Sequence, residues 1–175
     1  MTLRQSAPAG TGTDLLTRIR RNHALEHATI HLLSAAYPRR SIIGRSDWRG
    51  FYLYGDFPTP AVVEAAAHAL ARLQSGERGL AIHPNCGTNL LKAATLACLG
   101  SLVAFGLPGD RWRDRLERLP LALLAAAAGL IVSRPLGTQI QMHLTTQADP
   151  GTLRLLAVKR LPALYPTAHR VLTGN

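Results

Sequence analysis

Asn22-His23-Ala24-Leu25-Glu26-His27 is the stretch from which the rest of the chain is read. On a helix, residues i and i+4 project from one face, so His23 and His27 can grip one metal ion together. Glu26 lies beside them on that face, where a carboxylate can take a proton from metal-bound water. A third histidine, His31, follows one turn later and also admits a plain solvated His/Glu face. The helix itself is bounded by residues with a reason to bound it. Asp14 is an N-cap candidate, Leu15, Ile19, Ala24, Ile30 and Leu33 supply apolar positions, and Pro38 ends the run near Ala36.

Outward from that helix the pattern is that of a small α+β domain. Ser41–Arg45 and Gly50–Gly55 read as strands joined by Ser46-Asp47-Trp48-Arg49. Pro60 opens a second helix, Ala61–Gln74, which stops before Gly76. Gly79–His83 reads as a third strand, followed by the tight segment Pro84-Asn85-Cys86-Gly87. Farther on, Thr138–Thr145 alternates, with Ile140, Met142 and Leu144 on one side and Gln139, Gln141 and His143 on the other. Thr152–Arg160 is a weaker strand candidate. A zinc site needs a third protein ligand. Cys86, at the end of a strand in a Gly/Pro-bounded turn, is the first candidate, and His83 and His143 compete with it. Cys98, inside an apolar run, reads as a small buried hydrophobe.

Between the two halves of that domain stand two apolar runs, LLKAATLACLGSLVAFGL (90–107) and LPLALLAAAAGLIVS (119–133), separated by PGDRWRDRLER. Each holds 15 uncharged residues in a row, about 22 Å of helix against a hydrocarbon core of roughly 30 Å. Flanking residues such as a snorkelling Lys92 can extend them, and neither run has a polar stripe, so a transmembrane helical pair is expected. Small residues four apart (Ala97 and Ser101, Gly100 and Ala104, Ala125 and Gly129) would let the helices approach closely. Four arginines in the connecting turn (Arg111, Arg113, Arg115, Arg118) weakly favour placing that turn in the cytoplasm. Carrying about 85 polar N-terminal residues outward without a signal peptide argues the other way, and both termini and the metal site are expected in the cytoplasm.

Composition narrows the function classes. The 175 residues suffice for one domain, or a smaller one with a membrane anchor. Hydrophobic residues at 47% against 17% charged exclude intrinsic disorder of the whole, and two cysteines exclude a disulfide scaffold. A mean hydropathy of +0.06 confines any membrane portion to part of the chain. The formal charge is +10, but all but two of the 20 basic residues are arginines scattered along the chain, and aromatics make up only 5%. That leaves no stacking platform for bases, so nucleic acid is not an expected partner.

The segment His23-Ala24-Leu25-Glu26-His27 has the H-x-x-E-H order of the inverted zincins. It resembles the zinc helix shared by the S-ribosylhomocysteine lyase LuxS and the pitrilysin/insulinase peptidases, which have a LuxS/mitochondrial-processing-peptidase-like metallohydrolase fold. Arg49-Gly50-Phe51-Tyr52-Leu53 is similar to the LuxS strand after its catalytic cysteine, and Asn85-Cys86-Gly87-Thr88 to its cysteine-glycine zinc segment. The resemblance covers roughly residues 22–89. It implies His23, His27 and Cys86 as ligands of one zinc ion, with Glu26 as general acid/base. Where the lyase carries its second catalytic cysteine this chain has Asp47, which bears on the lyase reaction while leaving an acid or base there. As a whole, the chain is similar to an uncharacterised family of bacterial membrane proteins.

The expected organisation is therefore a lead over 1–13, an α+β metal-site domain over 14–88, a transmembrane helical pair over 89–134, and C-terminal strands over 135–175 that complete the α+β domain. The expected function is a membrane-anchored zinc hydrolase, a peptidase before other hydrolases, in the bacterial cell membrane. Glu26 and Asp47 are its catalytic candidates, and Gln139, Gln141 and His143 form a row for substrate. The alternatives are a non-catalytic membrane module with a structural metal, or a LuxS-like lyase. Expected partners are the bilayer, a peptide or small-molecule substrate, and a second copy of the chain.

Overall fold

A computed structural model describes residues 12–83, 87–106, 112–161 and 167–174 of the chain. The chain divides into two compact units, Met1–Ile82 with Thr145–Asn175, and His83–Leu144. Apart from residues 12 and 13, the expected lead lies outside the described residues.

The first unit is α+β. Its elements are α1 (Gly12–Ala36), β1 (Ile43–Asp47), β2 (Gly50–Tyr54), α2 (Thr59–Gln74), a short 3-10 helix (Arg78–Ala81), β3 (Arg154–Leu161) and β4 (Ala168–Gly174). The four strands form one antiparallel sheet in the order β1-β2-β4-β3. One face of that sheet meets α1 and α2. Phe51 and Leu53 of β2 and Val171 of β4 are fully buried there against Leu25, Leu33, Phe57 and Val62. Burying side chains of this size stabilises by roughly 1.5–3 kcal/mol each. The alternate residues of the strands, among them Arg45, Tyr52, Tyr54 and Arg170, belong to the other face.

Several boundaries differ from those the sequence suggests, each for a local reason. Helix α1 is already in progress at Gly12, so Asp14 stands within it and does not cap it. The β1–β2 connection is shorter than expected: Asp47 pairs with Gly50, leaving Trp48-Arg49 as a two-residue turn. The Asp47 side chain closes that turn by accepting the Arg49 amide proton at 2.7 Å. Gly79–His83 is not a strand. Residues 78–81 wind into the 3-10 helix, and the backbone carbonyls that follow turn toward α1. Thr138–Thr145 is not a strand either, since 138–140 end a long helix and Gln141–Thr145 continue it as a π-helical turn. Strand β3 occupies the weaker candidate segment instead, and β4 lies within the C-terminal region expected to hold strands, at a place where no individual strand was singled out.

The second unit is helical, with α3 (Gly87–Phe105), α4 (Trp112–Glu117) and α5 (Leu119–Ile140). Among the described residues one helical stretch, Trp112–Ser133, is long and apolar enough to cross a membrane, and Lys92–Phe105 is a shorter apolar helix. Two spans were expected, and one meets the length. Helices α3 and α5 meet through small residues. A Cβ on Gly129 would stand 2.7 Å from the Leu96 carbonyl oxygen and 3.0 Å from the Ala97 nitrogen, and one on Gly100 would stand 2.7 Å from the Ala125 carbonyl oxygen. Only glycine allows backbones this near. Ser101 donates its hydroxyl to Ala97 O at 3.0 Å, and Ala104 and Ala122 are buried.

Candidate metal centre

Helix α1 places His23, Glu26 and His27 on one face, as positions i, i+3 and i+4 require. One ligand atom from each lies within 4.8 Å of the others, and the two imidazole rings stand 4.3 Å apart at 61°. His27 is 1% exposed and Glu26 4%, while His23 is half-buried. The cluster thus opens on the His23 side.

Both histidines are held by backbone carbonyls from distant parts of the first unit. His23 Nδ1 lies 2.9 Å from Thr145 O, and His27 Nδ1 lies 2.7 Å from Ala81 O. A carbonyl can only accept, so Nδ1 is the donor in each ring. In the neutral imidazole the lone pair then sits on Nε2. Such a bond at one ring nitrogen fixes the tautomer and orientation of a histidine that ligates a metal through the other. His31 is arranged differently, donating through Nε2 to Ile82 O at 2.8 Å. The 3-10 helix standing where a strand was expected therefore supplies the acceptor for His27, and the residue after it the acceptor for His31.

Glu26 is packed beneath β1. A Cβ on Gly44 would collide with its carboxylate, so any side chain at this strand position would displace Glu26 from its place, and the Ser46 hydroxyl donates to Glu26 Oε2. One residue farther along β1, the backbone carbonyl of Asp47 accepts from Asn22 Nδ2 at 2.8 Å. Asn22 is fully buried and also accepts from the Thr173 hydroxyl at 2.7 Å. This amide ties α1 to β1 and β4 immediately before the first histidine. Burial of these polar groups costs little because each has a partner.

The Asp47 side chain points elsewhere, pairing with Arg170 Nη2 at 2.8 Å. Partial burial pushes its carboxyl upward, but the Arg170 and Arg49 hydrogen bonds and the Arg170 charge outweigh that and hold it below its ordinary value. It is an ionised partner of an arginine. Arg170 in turn lies over the Tyr52 ring, 4.2 Å from its centroid.

The remaining candidates lie in the second unit or outside the described residues. Cys86, the proposed third ligand, lies outside them. Gln141 is fully buried and engages the backbone of His83 on both sides, accepting from its N–H at 3.1 Å and donating to its C=O at 3.0 Å. Gln139 and His143 are exposed. Within their own unit, these three do not line up as one row, because the segment is helical. Ser46, Gly44, Asn22 and the carbonyls of Ala81 and Thr145 were not visible as site residues from sequence. A small residue facing the Glu26 carboxylate is a signal only once the strand register is known.

Comparison with known proteins adds a family without an assigned activity. Residues 18–158 match the profile of a family described as a domain of unknown function (DUF6391). An uncharacterized protein of Picosynechococcus sp. (strain ATCC 27264 / PCC 7002 / PR-6) is 38% identical over 147 residues, covering 78% of this chain and 69% of that protein. No solved structure matches the chain.

Proposed function

We propose, for a chain that belongs to the DUF6391 family, that it is a membrane-anchored zinc hydrolase, a peptidase working near the membrane surface. The observation that carries this reading is the cluster itself: His23, Glu26 and His27 each offer a ligand atom within 4.8 Å of the others, and both histidines hold Nδ1 against a backbone carbonyl, which makes Nε2 the ring atom suited to ligation. Imidazole donors suit zinc over magnesium or calcium. The resemblance of His23-Ala24-Leu25-Glu26-His27 to the LuxS and pitrilysin zinc helix supports the same assignment. Cys86, four residues beyond Ile82 in the chain, is the third ligand of this proposal, with His83 and His143 as its competitors.

Zinc, when bound, supplies the Lewis acidity that makes water a nucleophile near neutral pH. The chain supplies the rest. His23 and His27 are oriented before the ion arrives, and Glu26 takes the proton from the attacking water. Glu26 is buried, and the Ser46 hydroxyl, donating to its carboxylate, fixes that group's direction. Asp47, paired with Arg170, anchors the β1–β2 turn in this scheme. His143 and Gln139, both exposed, are the substrate-contact candidates of this scheme, while Gln141 serves the backbone of His83.

Membrane anchorage draws support from Trp112–Ser133, of which only 11% of the most apolar window is buried, and from Lys92–Phe105 beside it in sequence. The metal-site unit is placed in the cytoplasm. A second reading, a structural metal without catalysis, is favoured by the Ser46 bond, which occupies one oxygen of Glu26.

Elemental analysis of purified wild type, His23→Ala and Cys86→Ser decides the metal. About one zinc per chain in wild type, lost in His23→Ala, is expected, and an equal zinc content in all three would sink the ligand set. Glu26→Gln should keep zinc and lower cleavage of a fluorogenic peptide library by roughly 10²–10⁴-fold. Zinc retained with no cleavage by wild type would move the protein to the structural reading.

A further inference from the structure

The sheet of the first unit buries one face against α1 and α2, and the composition of its other face is unusual. Running across it in register are Arg45 of β1, Tyr52 of β2, Arg170 of β4 and Lys159 of β3. The neighbouring positions on that face add Ile43, Tyr54 and, beside the bulge of β3, Arg154. Arg45, Arg154 and Lys159 are exposed, and so is Arg49 in the turn at the end of the row. None of these four takes part in an ion pair among the described residues. The one acid of the face, Asp47, is already neutralised by Arg170. Large apolar side chains are exposed along the margins of the sheet: Ile43 at the start of the edge strand β1 is 66% exposed, Trp48 in the turn after β1 49%, and Leu156 on the opposite edge strand β3 64%. The Arg49 guanidinium lies over the Trp48 ring at 5.4 Å.

We propose that this face docks onto anionic lipid headgroups, with Trp48 entering the interfacial zone and Arg45, Arg49, Arg154 and Lys159 meeting lipid phosphates. Cations mixed with tryptophan and aliphatic side chains match the layered chemistry of a membrane surface, charged outside and apolar a few ångströms in. Two other occupants fit less well. A second copy would bring the same four positive charges against themselves. Nucleic acid needs open aromatic faces, and Tyr52 has its ring taken by Arg170 on one side and stacked with Tyr54, 6.2 Å away at 20°. The inference rests on the membrane part of the function proposed above and specifies which surface of the first unit meets the lipid.

The test uses the full chain with Trp112→Phe, so that Trp48 is the one tryptophan. It is reconstituted with vesicles of phosphatidylcholine alone, or of phosphatidylcholine with phosphatidylglycerol, both with brominated acyl chains. Co-flotation with phosphatidylcholine vesicles reads the anchor, and Trp48 emission reads the docked face. Trp48 should shift to the blue and be quenched only where phosphatidylglycerol is present, and high salt should reverse both. Each cation near an anionic surface is worth about fivefold in binding, so Arg45→Gln/Arg154→Gln/Lys159→Gln should lower the docked population about 10²-fold. These side chains are exposed, and an unchanged melting curve verifies the fold of the variant. Equal Trp48 emission in the two lipids overturns the proposal, as does quenching that ignores salt and the triple substitution. Protection of Trp48 in detergent by added RNA, or by raising protein concentration, also overturns it. A chain that fails to float with phosphatidylcholine yet docks on phosphatidylglycerol vesicles in a salt-dependent way would sink the anchor and uphold the docking face.

Discussion

Phe51, Leu53 and Val171 in the sheet unit are shut away from solvent, whereas Val103, Leu123 and Ile131 in the helical unit are 73%, 69% and 70% exposed. The two units apply opposite rules to the same residue types. In the first, large side chains fill the space between sheet and helices, and polar groups inside it, such as Asn22 and Thr173, are paired with each other. In the second, the space between α3 and α5 is closed by glycine, alanine and serine, and the large side chains face outward. Water as the only surrounding would make that second arrangement costly, at about 25 cal/mol for each Å² of apolar surface left wet. The contrast is what a chain with two solvents would show, and it supports the proposed anchorage.

Four substitutions would break or sharpen the contrast. Phe51→Ala should have the largest effect, lowering the stability of the first unit by about 3–5 kcal/mol through lost burial and the cavity left behind. Denaturant unfolding followed by near-ultraviolet circular dichroism measures it, and a loss below about 1 kcal/mol would mean that the sheet core is not packed as described. Gly129→Leu comes next. Its side chain must push the Leu96 carbonyl away, at a cost of about 1–3 kcal/mol, and cross-linking between cysteines placed on α3 and α5 should become inefficient.

Asp47→Asn should cost about 1–2 kcal/mol, less than a fully buried pair, because the Asp47 side chain is 36% exposed and screened by solvent. The pH dependence gives this prediction its sign. The folded-state carboxyl is held below its ordinary value of 3.8, so the unfolded chain binds its proton first as pH falls. The contribution of the pair is therefore complete above that value and is lost as pH drops through the folded one. Thermal melts run from neutral pH to successively lower pH below 3.8 should bring wild type and Asp47→Asn together at the acid end, and curves that stay parallel throughout would remove Asp47 from the groups that set acid stability. Leu123→Ala should do least, within about 0.5 kcal/mol in detergent-solubilised protein, because its side chain packs on little of its own chain. A loss as large as that of Phe51→Ala would erase the contrast.

The sequence reading and the structure agree where a pattern is local. Helices α1 and α2 and the β1–β2 pair follow from apolar periodicity, Pro38, Pro60 and the turn at Asp47, within a few residues at each end. The cluster of His23, Glu26 and His27 needed only helical spacing. Disagreement arises where a tertiary partner decides. Thr138–Thr145 alternates like a strand, yet it continues α5 without a break, and no strand among the described residues pairs with its backbone. Strand β4 escaped notice because its inward row reads His169, Val171, Thr173, two of them polar. His169 is paired with Thr59 and Thr173 with Asn22, partners more than a hundred residues away. Backbone carbonyls such as Ala81 O and Thr145 O carry no sequence signature at all. Their part in orienting the histidines could be seen only after the chain was folded.

The position of β4 has a consequence for how the protein is made. It is central in the sheet, between β2 and β3, although Tyr54 ends β2 long before Ala168 opens β4. On the ribosome, α1, the β1–β2 pair and α2 emerge with the inner edge of β2 unpaired. The apolar helices of the second unit then leave the exit tunnel while that edge still waits. At about 5–20 residues per second, the interval lasts several seconds, long against the microseconds a hairpin needs to close. A nascent chain with an open strand edge and freshly exported apolar helices is a substrate for chaperones and for misplaced pairing. Under the proposed membrane anchorage, early delivery of those helices to a translocon would shorten the hazard, and biogenesis would then depend on the targeting rate more steeply than the chain's size suggests.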